Sequence, residues 1–130
     1  MITIKKFITP NEYSRPQTKN TPKGVIIHYT GMKGQRALQT IEYFESLKNQ
    51  KTKNPVYAST QFVVDTNGDT YQLMEESEGC YGVSTPIDYA NNPYPIEVHN
   101  TFGRSVNRNS LQIKAVLTSY KCTIKQFKTR

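Results

Sequence analysis

Gly24-Val25-Ile26-Ile27-His28-Tyr29-Thr30-Gly31 is the stretch that decides the fold. Three β-forming apolar residues in a row, bounded by glycines, predict a strand buried on both faces and so the centre of a sheet. Downstream, Gln35–Lys48 carries Ala37, Leu38, Ile41, Phe44 and Leu47 at helical spacing, with charges on the other side. That pattern predicts an amphipathic helix packed on the sheet, and the loop at 49–55 ends at Pro55, which cannot continue it. Two β-rich runs, 57–65 and 70–74, flank Thr66-Asn67-Gly68-Asp69, a strong hairpin signal. Leu111–Leu117 reads as a last strand. Strand, helix, hairpin and strand together make a mixed α/β domain with a central sheet.

Around this frame the chain is polar or irregular. Residues 9–23 hold three prolines and read as an irregular lead-in, and residues 84–100 hold three more with Asn91-Asn92, a long excursion. Loops of that length are commonly functional. One domain is expected from 130 residues. Leu, Ile, Val and Phe number 28, just above the composition at which disorder becomes the better expectation. No apolar run is long enough to span a membrane. Met1–Pro10 shows neither an apolar segment nor a small-residue cleavage site, so no secretion signal is expected. Two distant cysteines, Cys80 and Cys122, make neither a metal knuckle nor a disulfide framework.

Charge is unevenly placed. Residues 1–97 contain ten basic and ten acidic residues, so the net +7 lies wholly in 98–130, as Arg104, Arg108, Lys114, Lys121, Lys125, Lys128 and Arg130. A basic tail can neutralise phosphates. Seven charges spread over that length, without an aromatic RNA-binding motif or a helix-turn-helix pattern, read instead as a solvated tail, and no nucleic-acid partner is expected.

Two histidines are present, His28 and His99. His28 lies where a strand opens into a loop. A histidine held there suits a metal ligand or a general base, and equally a half-buried ring bonded to a backbone carbonyl.

Lys23–Gly31, the helix with Ile41-Glu42-Tyr43-Phe44, Ala58–Asp65 with Asn67-Gly68-Asp69 and Tyr71-Gln72-Leu73, and then Asn107–Ile113 occur in an order that resembles the zinc-dependent N-acetylmuramoyl-L-alanine amidases. That family includes phage endolysins, type-2 amidases and peptidoglycan recognition proteins. The resemblance implies a mixed sheet flanked by helices, an amidase-like domain over 23–117 after a lead-in at 1–22, and a basic tail at 118–130. It also implies a Zn²⁺ in a groove, held by two histidines and a cysteine or aspartate, with a position left for water. The metal would polarise the amide between the muramoyl lactyl group and L-alanine, and a carboxylate would take the proton of its water. His28 matches the first ligand. Tyr29, Thr30, Thr60, Gln61 and Tyr81 fall where family members line the substrate groove, with the acidic cluster Glu75, Glu76 and Glu78 nearby.

The chain departs from the family at chosen points. Lys114 stands where the family has the catalytic glutamate, and Gln61 where it usually has histidine. No downstream segment supplies the second histidine and the thiolate or carboxylate, and the acid-free ending after Ile113 does not read as the family. The chain is therefore expected to be truncated or replaced at its C-terminus, leaving one sheet face partly uncovered. His99 with Cys80 or Cys122 is the local alternative ligand set; the plainer expectation is an exposed loop histidine and a buried hydrophobic thiol. Two functions follow: a peptidoglycan hydrolase of phage or prophage lysin type, weak or inactive in this form, and an amidase-like module that binds peptidoglycan without cleaving it. Without a signal the protein is expected in the cytoplasm until lysis or a holin releases it to the wall.

Overall fold

The computed structural model describes residues 2–30, 34–83, 100–103 and 105–116. Five strands form one mixed sheet: β1 (Thr3–Lys5), β2 (Val25–Tyr29), β3 (Phe62–Val64), β4 (Thr70–Gln72) and β5 (Leu111–Ala115), in the spatial order β1-β4-β3-β5-β2. Only the β3–β4 hairpin is antiparallel. Its turn is closed by Asp65 N–H donating to Asp69 O at 2.8 Å, with Gly68 at φ +89°, a conformation that glycine adopts without Cβ strain.

Helix α1 (Ala37–Ser46), extended by a 3-10 turn at Leu47–Asn49, packs on one face of the sheet. Ala37, Ile41, Phe44 and Leu47 are buried as the spacing requires, whereas Leu38 is exposed, on the flank rather than on the stripe. The helix start is pinned to the end of β3. The Arg36 guanidinium meets the Asp65 carboxylate at 2.9 and 3.2 Å, and Arg36 N–H donates to Gln39 Oε1. At the other end Gln50 acts as a clamp, donating to Leu47 O and Val56 O and accepting from Val56 N–H.

Alternation along the strands, combined with the register, aligns one residue per strand in a row: Ile4, Tyr71, Val63, Lys114 and His28. This row lies on the face that α1 covers, since the Lys114 ammonium sits 5.4 Å from the centre of the Phe44 ring. Val63, Tyr71, Leu73 and Met74 join the helix residues, Ile8 and Val116 in the core.

Two expectations are corrected. Strand β2 is not central: among the described residues it lies at the sheet edge, paired only with β5. A run of β-branched residues marks a strand without saying what covers it. Here Val25, Ile27 and Tyr29 point to the face opposite α1 and are about half exposed, at 53%, 47% and 51%. That face carries Phe62, Val64, Leu111, Ile113 and Ala115 as well, all only partly buried, so among the described residues it is the uncovered apolar side. Secondly, the opening residues do not merely lead in. Thr3–Lys5 join the sheet beside β4, Ile8 is buried, and Arg15 reaches across to Glu78. The tail from 118 and most of the 84–100 excursion lie outside the described residues. No described helix is long and apolar enough to cross a membrane.

The Arg15–Glu78 pair is bidentate, at 2.9 Å for each contact, with both side chains almost fully buried. Burial pushes the Glu78 carboxyl up, but the Arg15 hydrogen bond, the Glu75 N–H and the Arg15 charge outweigh it and hold the pKa below the ordinary 4.5. A carboxyl depressed in the folded state stabilises above its unfolded pKa and loses that stabilisation as pH falls through its folded value. Arg15→Ala, which strands the buried carboxylate, is expected to cost about 3 kcal/mol at pH 7 in urea unfolding. In Glu78→Gln the loss of stability below about pH 4.5 should be shallower than in the parent. An unchanged acid limb would remove the pair from the stability of the N-terminal segment.

Candidate functional site

The site is built outward from one backbone position. Val83 N–H donates to Asn107 Oδ1 at 3.0 Å, and Asn107 Nδ2 donates back to Val83 O at 2.9 Å. These two bonds fix which way the Asn107 amide faces. Its Oδ1 then accepts from Gln112 Nε2 at 2.8 Å, so Gln112 Oε1 must be the atom that meets His28 Nε2 at 2.7 Å. A carbonyl oxygen only accepts, so His28 carries its proton on Nε2 and keeps its lone pair on Nδ1. Burial lowers the His28 pKa; the Gln112 bond acts the other way, and the Lys114 charge lowers it further. The net shift is downward and the ring is neutral near pH 7.

Beneath this chain lies Gln61, wholly buried. Because β3 starts one residue later, the Gln112 N–H has no backbone partner there; Gln61 Oε1 takes it at 2.8 Å. The same oxygen receives the Cys80 thiol at 3.3 Å, while Gln61 Nε2 donates to Glu78 O at 2.9 Å. Gly82 makes room for the arrangement, since a methyl group there would collide with Gln112 Oε1.

Not all of the residues expected in the groove come together. His28 and Thr30 share the α1-covered face with Lys114, whereas Tyr29 projects from the opposite, open face. Thr60 and Gln61 are fully buried and act inside the fold; the Thr60 hydroxyl donates to Phe62 O. Tyr81 is half-buried, edge-on to Tyr57 at 5.4 Å. Of the acidic cluster, Glu78 is committed to Arg15, and Glu75 and Glu76 are exposed. His99 and Cys122 lie outside the described residues. Asn107, Gln112 and Gly82 were not foreseen as site residues. The signal was present in the alternation of Leu111-Gln112-Ile113-Lys114-Ala115, which puts Gln112 and Lys114 on one face, the face of His28.

A catalytic zinc needs three protein ligands, and the described residues do not provide them. Among these residues no three of His, Cys, Asp and Glu cluster. His28 offers one lone pair beside the Lys114 ammonium. Cys80 is no substitute: burial pushes its thiol up to about 12 and its hydrogen goes to Gln61. Lys114 itself, its pKa lowered by burial, brings positive charge to the place where a metal would need negative charge.

The profile of the N-acetylmuramoyl-L-alanine amidase family Amidase_2 matches residues 18–129. The chain belongs to this family. The match continues through the basic tail, which corrects the reading of that ending as foreign. Among solved structures the fold is similar to the catalytic domain of XlyA, at 24% identity and a TM-score of 0.57, covering 88% of this chain and 60% of that one. A mutant endolysin from Bacillus subtilis is similar at 24% identity and a TM-score of 0.60, covering 89% and 62%. The Staphylococcus aureus hydrolase AmiA in complex with its ligand is similar at 14% and 0.56, covering 90% and 44%. The chain thus spans less than two-thirds of the length of each. No curated protein sequence matches significantly.

Two outcomes test the network. Asn107→Ala, which releases both Val83 backbone groups and the Gln112 amide, is expected to cost about 2–3 kcal/mol by urea unfolding. In a Cys122→Ser background, Cys80 should give no reaction with a disulfide reagent at pH 8 in the native state and one thiol per chain after denaturation. Rapid native labelling would contradict the buried, protonated thiol.

Proposed function

We propose that this chain acts at bacterial peptidoglycan, at the amide that joins the lactyl group of N-acetylmuramic acid to L-alanine, and that its groove engages this junction without zinc-dependent hydrolysis. The family match over 18–129 supports the substrate. The observation that carries the absence of cleavage is Lys114, which occupies the register position beside His28 where hydrolysis calls for a carboxylate. A positively charged donor there can hold a carbonyl or a carboxylate; it cannot take a proton from a water at neutral pH. Neutral His28, its Nε2–H given to Gln112, keeps one acceptor, Nδ1, for a ligand N–H. In this reading the protein meets the wall after lysis or holin-mediated release, in the setting of a phage-type lysin.

Hydrolysis is the second reading, favoured by the extent of the family match, which includes His99 and Cys122. One experiment separates the two. Purified sacculi are incubated with the untagged full chain, the pellet is assayed for bound protein and the supernatant for new L-alanine amino termini, and zinc is measured per chain. The expected result is co-sedimentation, no new amino termini and zinc far below one per chain. Near-stoichiometric zinc together with released amino termini, both lost in His28→Ala, would replace binding with hydrolysis. Failure to sediment with sacculi would remove peptidoglycan as the partner.

A further inference from the structure

The two edges of the sheet are built differently. On one side β1 is three residues long and runs into Lys5-Lys6, a short charged edge of the kind that resists pairing with other strands. On the other side β2 runs for five residues, Val25-Ile26-Ile27-His28-Tyr29, without an acid, a lysine or a proline. Its ladder to β5 uses alternate residues. Leu111 N–H donates to Gly24 O at 2.9 Å and Thr30 N–H to Ala115 O at 3.1 Å. Gly24, Ile26, His28 and Thr30 thus turn their backbone groups toward β5, and Val25, Ile27 and Tyr29 turn theirs to the outer edge. Among the described residues these outward N–H and C=O groups have no partner. The side chains of the same residues stand half exposed on the open apolar face.

This edge is complementary to itself. Laid antiparallel to a second β2 about a two-fold axis through Ile27, it sets Ile27 opposite Ile27 of the second copy and Val25 opposite its Tyr29. Since the outward groups fall on these residues, each such pair exchanges N–H···O bonds in both directions. We propose that β2 is an interface between two copies of this chain, which pair edge to edge and continue the five-stranded sheet across a two-fold axis. The strand carries no charge that would repel its own copy, and none that would select an acidic or basic partner instead. Paired residues of antiparallel strands point to the same face, so the two open apolar faces join into one surface, with Val25 beside Tyr29 of the second copy. On the α1 side the same register brings Ile26 of the second copy next to His28, so that each chain contributes an apolar wall to the other's groove. This inference is independent of the peptidoglycan reading.

The test is sedimentation equilibrium of the full chain, read against its 14.9 kDa monomer mass. A small interface of this kind should give a dimer with a dissociation constant on the order of 10 µM. Ile27→Pro removes the central outward donor without touching the ladder to β5, and should weaken association about tenfold or more. Ile27→Lys sets two ammonium groups face to face and should do the same; it stands in if the proline variant does not fold, with circular dichroism as the check. Charge then tests the register. Val25→Lys with Tyr29→Glu places opposite charges across the axis and should keep the dimer, whereas Val25→Lys with Tyr29→Lys should lose it. Thr3→Lys, at the other edge, should leave association unchanged. Amide exchange at Val25, Ile27 and Tyr29 should be fast in the monomer and slow as the dimer forms. A chain still monomeric at about fifty times that concentration overturns the proposal. So does protection of these amides in the monomer, which would assign the edge to a segment of the same chain. A dimer that survives both Ile27 variants, or that is indifferent to the two charge pairs, overturns the pairing through β2.

Discussion

The side-chain amide of Gln61 holds the structure together at its least regular point. It lies just before β3, where a ladder bond to β5 would otherwise be missing, and it substitutes for the absent backbone carbonyl. Through its other contacts it gathers the Glu78 carbonyl and the Cys80 thiol, while the main-chain carbonyl of Gln61 takes Leu73 N–H at the end of β4. One buried amide thus joins the hairpin, β5 and the loop after β4. An apolar residue of similar volume would leave at least two backbone groups buried and unsatisfied, each costing on the order of 1–3 kcal/mol. The position of Gln112, and with it the orientation of His28, follows from this junction.

That dependence gives the groove its character. His28 is not oriented by a carboxylate, as a strongly basic imidazole would be, but by a neutral amide whose direction is dictated by the backbone at Val83. A neutral chain of amides delivers a defined tautomer and little electrostatic activation. Lys114 in the adjacent strand then sets the sign of the local field. Fold and site therefore belong to different parts of the sequence: the sheet is that of the amidase family, while Gln112 and Lys114 of β5 set the tautomer of His28 and the charge beside it.

The fold was largely legible because its signals are local. Asn67-Gly68 announces the hairpin through backbone chemistry confined to four residues, and the spacing of Ala37, Ile41, Phe44 and Leu47 announces α1. The edge position of β2 was not legible, since Val25-Ile26-Ile27 has the same composition whether one face or two are covered; only neighbours distant in sequence decide. The site was legible in its anchor, His28, and in the oddity of Lys114. It was not legible in Asn107, Gln112 and Gly82, which matter through a chain of hydrogen bonds spanning 28 to 112. Glutamine and asparagine carry no spacing signature comparable to a metal ligand set. Glu78, expected near the groove, is instead tied to Arg15, a partner 63 residues away that no local pattern announces.

The strand order bears on how the molecule is made. β2 is synthesised early, yet its partner in the described sheet is β5, and the register joins Val25 to Leu111. β1 waits likewise for β4, joining Thr3 to Thr70. During synthesis this strand, with three aliphatic residues in a row, is thus exposed on both edges until a segment far downstream has left the ribosome, while the hairpin can close on its own. Pairing so remote in sequence is slow, and a waiting strand of this composition is open to contact with other nascent chains. The yield of folded protein should then be governed by events before β5 arrives, and so by translation speed and the chaperones at hand, more than by the stability of the finished sheet.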